Sequence, residues 1–518
     1  MKSSRASRVT SLPWHPFLLA AFPVLTLAAH NADEIHLFDP LRTLLIALLL
    51  AALLLLLFRW ALKDWKKAGM AATLVIVLIF TYGHVYQFLE SQGLGFGRHR
   101  LLAPLYLAIF AVVLWRLVRT KTDLLVSTQA LNLLAVTALI FPLAQLCLFT
   151  VRQARAQTTA SELQQSNLQE TQGHLPDIYY IILDAYSRDD VLRDFYRYDN
   201  SQFLSELEGL GFYVARCSRS NYASTTLSLP SSLNMDFVDN LMKYEPEDPF
   251  DRQRAAQLIK VSQVRRELEA LGYKTVGFET GYPWTQIEGA DLYISTRSNE
   301  LGDLFVTGGL NRFEELLLRT TAGLALVDGA KILPDFIRPS LEYPNESYRR
   351  VVLNILDRLG GVSAMPGPKF VFAHIGSPHE PFVFGPDGEK VPAERQDSFA
   401  VEAYRDQVIY LNSRMIPILR EIISASATPP VIILQADHGG METEAHDRMA
   451  ILNAYYLPDG GNDRLYENIS PVNSFRLVFN TYLNGDYELL EDTSYFSKNL
   501  FPYKFTVVEE TRPECIDE

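Results

Sequence analysis

Cysteine is scarce in this chain, three among 518 residues, too few for a fold built on disulfides. Cys147 falls in an apolar block. Cys217 and Cys515 remain as a pair that an oxidising compartment would allow to bond, although sequence position says nothing of their distance. Ionisable side chains are scarce in the apolar blocks of the first 150 or so residues. His84, near a block end, is one of the few. Transporters keep charged groups along their path, so these blocks read as an anchor. Net positive charge is missing from the rest. Residues 1–156 carry 15 Lys and Arg against 6 Asp and Glu, and the whole chain has a formal charge of −13, which leaves about −22 for the remainder. Such a region is a poor partner for nucleic acid, and an anionic lipid substrate would have to be met by local cations. No internal repeat is visible.

What the first 151 residues do have is length in apolar sequence. About five blocks reach a membrane-spanning size, roughly Pro13–Ala32, Leu41–Trp60, Met70–Leu89, Leu101–Leu117 and Leu125–Val151. The first is short, contains Pro23 and follows Lys2, Arg5 and Arg8, so it also has the form of a signal peptide. The four blocks behind it favour a multi-pass anchor. Basic residues alternate between the loops. Lys2, Arg5 and Arg8 precede the first block. Arg59, Lys63, Lys66 and Lys67 lie between the second and third, and Arg116, Arg119 and Lys121 between the fourth and fifth. The positive-inside rule then puts the N-terminus in the cytoplasm, and an odd number of spans puts everything after Val151 outside. The expected location is the inner (plasma) membrane, with a periplasmic or otherwise extracytoplasmic domain.

Residues 152–175 are polar and without apolar periodicity, and read as a linker. From Pro176 strand-like and helical stretches alternate. Asp177–Leu183, Tyr273–Phe278, Lys369–Ala373 and Val431–Leu434 read as buried strands. Val264–Leu271 and Glu402–Ser424 read as helices. The pattern predicts an α/β/α sandwich with a central, mostly parallel sheet over 176–518.

Several strands run into reactive residues. Ile181-Ile182-Leu183 leads to Asp184. Phe370-Val371-Phe372-Ala373 leads to His374 and then His379. Val431-Ile432-Ile433-Leu434-Gln435-Ala436 leads to Asp437-His438-Gly439-Gly440, where two glycines let the backbone turn. Any one of these is a strand ending in a polar turn. Parallel strands share an edge, however, so Asp184, His374, Asp437 and His438 are expected to meet at one rim. Their oxygen and nitrogen donors suit Zn, Mn or Mg. A hydroxyl-rich loop, Asn221-Tyr222-Ala223-Ser224-Thr225-Thr226, precedes an apolar-spaced run. It reads as a loop entering a helix. That is either an ordinary Ser/Thr cap or an anion site beside a nucleophilic hydroxyl.

Together the Asp184 strand, the hydroxyl loop, His379-Glu380-Pro381-Phe382 and Asp437-His438-Gly439 resemble the alkaline phosphatase superfamily in its sulfatase-like membrane branch, over roughly Pro176 to the mid-400s. An anchor followed by an outer catalytic domain is similar to lipoteichoic acid synthases and lipid-headgroup phosphotransferases. The resemblance implies a divalent metal held by Asp184, Asp437, His438 and the nucleophile. It also implies a phosphoryl-type group captured on a threonine and passed to water or an acceptor alcohol. Thr225 best fits the family's spacing to Ser231-Ser232-Leu233-Asn234, with Thr226 next and Ser224 third. His379 matches a substrate-contacting histidine. His374 and His446 are candidates for a second metal or for substrate, although His446 also fits a surface place in an acidic loop with Glu442, Glu444 and Asp447. Two departures matter. Lipoteichoic acid synthases usually carry Glu where Asp184 stands. The Cys217-Ser218-Arg219 stretch lacks the Cys/Ser-x-Pro-x-Arg context of formylglycine sulfatases.

The leading expectation is therefore a membrane-anchored, metal-dependent hydrolase or transferase acting on phosphoesters of a membrane lipid headgroup or cell-envelope glycan. The alternatives are a sulfuric ester hydrolase without formylglycine and a non-catalytic membrane scaffold. Tyr282, Trp284 and Tyr293 either line an acceptor pocket or serve as packing.

Overall fold

The computed structural model describes residues 12–36, 38–93, 99–161, 175–242, 253–296, 310–329, 345–392, 395–396, 401–440, 444–498 and 501–515. Most of the expected linker, 162–174, lies outside them, as do Glu442 and the basic residues before the first apolar block. Two compact units emerge. The first combines Met1–Val151 with Ser298–Ser347, and the second combines Arg152–Arg297 with Tyr348–Glu518. Ser298–Ser347, expected within the α/β domain, thus belongs to the unit that holds the apolar helices.

In the first unit, Asp39–Leu62, Trp65–Ser91, His99–Arg119 and the apolar part of Leu125–Ser161 are long and apolar enough to cross a membrane. The remaining block forms His15–His30, 16 residues or about 24 Å of helix, short of the roughly 30 Å hydrocarbon layer. Boundaries follow local chemistry. Asp39–Leu62 ends at Lys63 in the left-handed conformation. The Asp64 side chain then caps the next helix by accepting from the Lys66 and Lys67 amides. Alanine dominates the buried positions, with Ala20, Ala47, Ala51, Ala68 and Ala72 among them. Small side chains let apolar helices approach closely.

The second unit is built on a seven-stranded sheet. Its strands are β1 (Ile178–Leu183), β2 (Tyr213–Val214), β3 (Lys274–Phe278), β4 (Leu292–Ile294), β5 (Lys369–Ile375), β6 (Val431–Gln435) and β7 (Asn453–Tyr456), in the order β2-β7-β6-β1-β5-β3-β4. The five strands from β6 to β4 are parallel, and β7 is antiparallel to both β6 and β2. Alternate residues of β1 enter two cores. Tyr179, Ile181 and Leu183 face one, and Ile178, Tyr180 and Ile182 the other. This explains the unbroken apolar run, since a parallel strand covered on both faces has no polar side. The helix Val401–Ala425 covers the first face through Tyr404, Val408 and Leu411. Thr225–Asn234 and Pro471–Tyr482 cover the second through Leu229, Leu233 and Phe475. A separate hairpin, β8 (Ser494–Lys498) with β9 (Phe501–Val508), follows. Cys217 and Cys515 are disulfide-bonded, with Cα atoms 5.3 Å apart.

Candidate metal and nucleophile site

β1 lies between β5 and β6, and Ile182 is in register with both His374 and Gln435. Asp184 and Asp437 each stand two residues beyond that level, so the register itself gathers the three side chains. β5 runs to Ile375, which puts His374 inside the strand rather than after it. His374 has the parity of Phe370 and Phe372, which face the core shared with Thr225–Asn234. His379 arrives from the loop after β5, where its backbone amide donates to the Asp184 carbonyl at 3.0 Å.

The side chains form two overlapping groups, Asp184 with His379 and His438, and Asp184 with His374 and Asp437. Within each group the candidate ligand atoms lie within 4.8 Å of one another. His374 Nε2 is 3.3 Å from Asp184 Oδ2, and His438 Nε2 is 3.7 Å from Asp184 Oδ1 and 3.6 Å from Asp437 Oδ2. Thr225 Oγ1 lies 3.2 Å from the same His438 Nε2. Thr226 differs, since its hydroxyl meets Ser224 at 3.3 Å. Thr225 opens the helix Thr225–Asn234, whose N-cap Ser224 makes no side-chain cap bond. The helix N-terminus is therefore left for an anion beside the hydroxyl.

The imidazoles are oriented by their second nitrogens. His438 Nδ1 lies 2.6 Å from the Gly439 carbonyl, and His379 Nδ1 lies 2.8 Å from the Glu380 carbonyl. A carbonyl only accepts, so each Nδ1 carries a proton and each Nε2 is the nitrogen left for a ligand. Burial opposes charge on Asp184, but His379, His374 and His438 outweigh it and hold the carboxyl below its ordinary range. Burial likewise opposes protonation of His374, and the facing Asp184 and Asp437 carboxylates raise it nonetheless. His438 goes the other way, pushed down by burial.

Asp184 Oδ1, Asp437 Oδ2 and both ring nitrogens of His374 are buried with no hydrogen-bond partner. Orphaned buried donors and acceptors of this kind are costly unless something fills the space between them. A divalent cation beside Asp184, His374 and Asp437 would take up the two orphaned carboxylate oxygens and one ring nitrogen of His374, so the donor set fits such a group.

Other residues hold the loops in place. Ala185, at φ 63°, takes a left-handed backbone that a non-glycine residue adopts at a cost. Its amide donates to Asp437 Oδ1 at 3.1 Å, and its carbonyl accepts from the Tyr404 hydroxyl at 2.7 Å. Neither glycine after His438 has a left-handed backbone; both allow close approach. A side chain at Gly439 would overlap the Arg448 carbonyl, and one at Gly440 would meet the Tyr196 hydroxyl. Arg448 donates to the Ala223 and Gly440 carbonyls, joining the hydroxyl loop to the Asp-His loop. Tyr404 and Arg448 escaped the sequence reading because each lies in a helix with no motif around it.

His446, in Ala445–Met449, is one-third exposed, lies 3.4 Å from Asp447 and is absent from both ligand groups. Tyr282 packs edge-on to Tyr348, and the Tyr293 hydroxyl donates to Gln286. Tyr282 thus serves as packing in the first core.

No protein-family model matches the chain, and no curated protein does. Solved structures do. The zinc complex of the C-terminal periplasmic domain of EcEptC from Escherichia coli is 11% identical, with a TM-score of 0.41, over 66% of this chain and 95% of that one. The integral membrane protein lipooligosaccharide phosphoethanolamine transferase A from Neisseria meningitidis is 11% identical, with a TM-score of 0.37, over 91% and 96%. The lipoteichoic acid synthase LtaP from Listeria monocytogenes is 13% identical, with a TM-score of 0.36, over 64% and 81%.

Proposed function

We propose that this chain is a membrane-anchored, metal-dependent phosphoester transferase or hydrolase, acting on a lipid headgroup or cell-envelope glycan through a threonine-linked intermediate. The observation that carries this reading is the Thr225 hydroxyl, at an uncapped helix N-terminus and 3.2 Å from His438 Nε2, beside buried carboxylate and imidazole atoms that lack partners.

Asp184, Asp437 and His438 would hold the metal, with His374 as a further donor. When bound, the metal would lower the threonine hydroxyl pKa and neutralise charge on the transferred group. Thr225 Oγ attacks phosphorus in line. Thr225 gives up its hydroxyl proton as the bond from phosphorus to the leaving oxygen breaks, and the departing alkoxide takes up a proton, so the net proton passes from threonine to the leaving alcohol. Amides at the start of Thr225–Asn234 stabilise the phosphoryl oxygens. His379, half-buried with Nε2 free to act, binds substrate or carries the proton. Water or an acceptor alcohol then takes the group from Thr225.

The basic residues Arg59, Lys63, Lys66, Lys67, Arg116, Arg119 and Lys121 gather at one end of the helices. That end is cytoplasmic in this reading. The Cys217–Cys515 bond suits an oxidising, extracytoplasmic side for the second unit.

The test is a panel of phosphodiester, phosphomonoester and sulfate ester substrates, each with Zn, Mn and Mg, offered to the detergent-purified protein. Mass spectrometry would follow headgroup loss and acceptor labelling. Metal-dependent turnover of a phosphoester is expected. Turnover of sulfate esters alone would defeat the reading, and a chain that neither binds nor uses a metal would be a scaffold.

A further inference from the structure

Residues 310–329 contain two helices too short to span a membrane, Arg312–Thr320 and Leu324–Asp328, yet they pack on the spanning helices. Phe313 is buried in one core with Ala20, Ala47 and Ile76. Arg42 pairs with Glu314, and the Asn311 side chain donates to the Asp39 carbonyl. His99 pairs with Asp328 at 2.7 Å. Asp39 and His99 begin their helices, whereas Gln87, which donates to the Arg319 carbonyl, lies near the end of Trp65–Ser91. Successive helices alternate in direction, so these contacts share one end of the bundle. The opposite end carries the basic cluster, with Lys66 paired to Asp123 and Lys67 donating to the Thr120 carbonyl.

The depth can be read from the helix itself. The Ala322 amide donates to the Ile79 carbonyl at 2.8 Å. Gly83 makes this approach possible, because a side chain there would overlap the Thr320–Thr321 peptide. Ile79 is fourteen residues beyond Trp65, about 21 Å along the helix. With Trp65 at the basic boundary, a hydrocarbon layer of about 30 Å extends past Ala322 by about 9 Å. That is the insertion depth of a helix lying in the headgroup–acyl boundary, about 5–10 Å. Tyr82 and Tyr86, both packed against His99, lie just beyond Ile79 in the direction where interfacial aromatic residues gather. Leu316 and Leu326 are 36% and 50% exposed.

We propose that residues 310–329 are an interfacial membrane element seated in the leaflet opposite the basic cluster, with Leu316 and Leu326 against the acyl chains. The chain enters this element from the α/β unit and returns to it. The α/β unit is therefore joined to the bilayer by an interior segment as well as by Leu125–Ser161.

The test uses the full chain in phospholipid vesicles. Leu316→Cys and Leu326→Cys, each with Cys147→Ser, are nitroxide-labelled and compared with a label at Leu107, in a spanning helix, and one at exposed Arg193. Labels at 316 and 326 are expected to collide with oxygen in preference to a water-soluble nickel chelate, as at 107. Nickel accessibility equal to that at 193 would overturn the proposal. The unsubstituted chain gives a second readout, in vesicles containing a diazirine phospholipid. Lipid adducts within 310–329 are expected after illumination, and adducts on the spanning helices with none on 310–329 would overturn it.

Discussion

Thr225 and Thr226 are chemically alike and adjacent, yet only Thr225 presents its hydroxyl to His438 Nε2, while Thr226 turns to Ser224. Thr225→Ala is therefore expected to lower kcat by about 10³-fold or more, as for loss of a nucleophile. Thr226→Ala should keep most activity, and steady-state rates on a phosphodiester substrate check both. Sequence left the two threonines open, because a choice between neighbours depends on which side chain faces the rim, and that is set by the helix start. Glu315 offers a different single-residue test. Burial pushes its carboxyl from 4.5 up to about 7, despite the Asn345 amide that donates to it. A carboxyl whose pKa is raised on folding binds more protons folded than unfolded across this range. Stability thus falls as pH rises from about 4.5 to 7 and levels off above. Glu315→Gln removes this term. Its Tm advantage over the unsubstituted protein should widen across that window, and a constant difference would contradict the assignment.

At the scale of elements, the helix Thr225–Asn234, which carries the proposed nucleophile, is tied to the sheet by a buried polar network. The Tyr180 hydroxyl meets Ser232 of Thr225–Asn234 and donates to Gln435 of β6, both at 2.9 Å. The Gln435 amide in turn donates to Asn453 of β7 and Ser474. Gln435→Leu strands several of these groups and should cost about 1–3 kcal/mol, read as a lower Tm in detergent. Because the same network fixes the depth of Thr225, kcat should fall as well, while Tyr180→Phe gives a milder form of both effects. β1, β5 and β6 were legible in the sequence because strands buried on both faces are apolar throughout. Their shared rim was legible because parallel strands end together. β7 was harder, since Asn453-Ala454-Tyr455-Tyr456 carries polar groups that serve this network and so hides its strand pattern. The helix Arg312–Thr320 looked like part of an ordinary α/β domain. Its partners, Asp39 and Arg42, stand about 270 positions earlier in the chain, and no local pattern marks that pairing.

For the whole molecule, the disulfide links positions 298 apart in sequence and anchors a C-terminal segment whose Arg512 meets Asp190, Asp194 and Asp447. Cross-linking so long a loop restricts the unfolded chain. Cys217→Ser with Cys515→Ser should therefore destabilise the protein by about 2–5 kcal/mol, and a reductant should lower the Tm of the unsubstituted chain alone. The account as a whole rests on covalent capture at Thr225 by a metal-dependent site. The most direct measurement is peptide-resolved mass spectrometry of the full-length protein, quenched during turnover of a phosphodiester headgroup donor. A phosphoryl-type adduct on the peptide holding Thr225 is predicted, absent with chelator and absent in Thr225→Ala. Turnover that leaves no adduct there and continues undiminished in Thr225→Ala would contradict it.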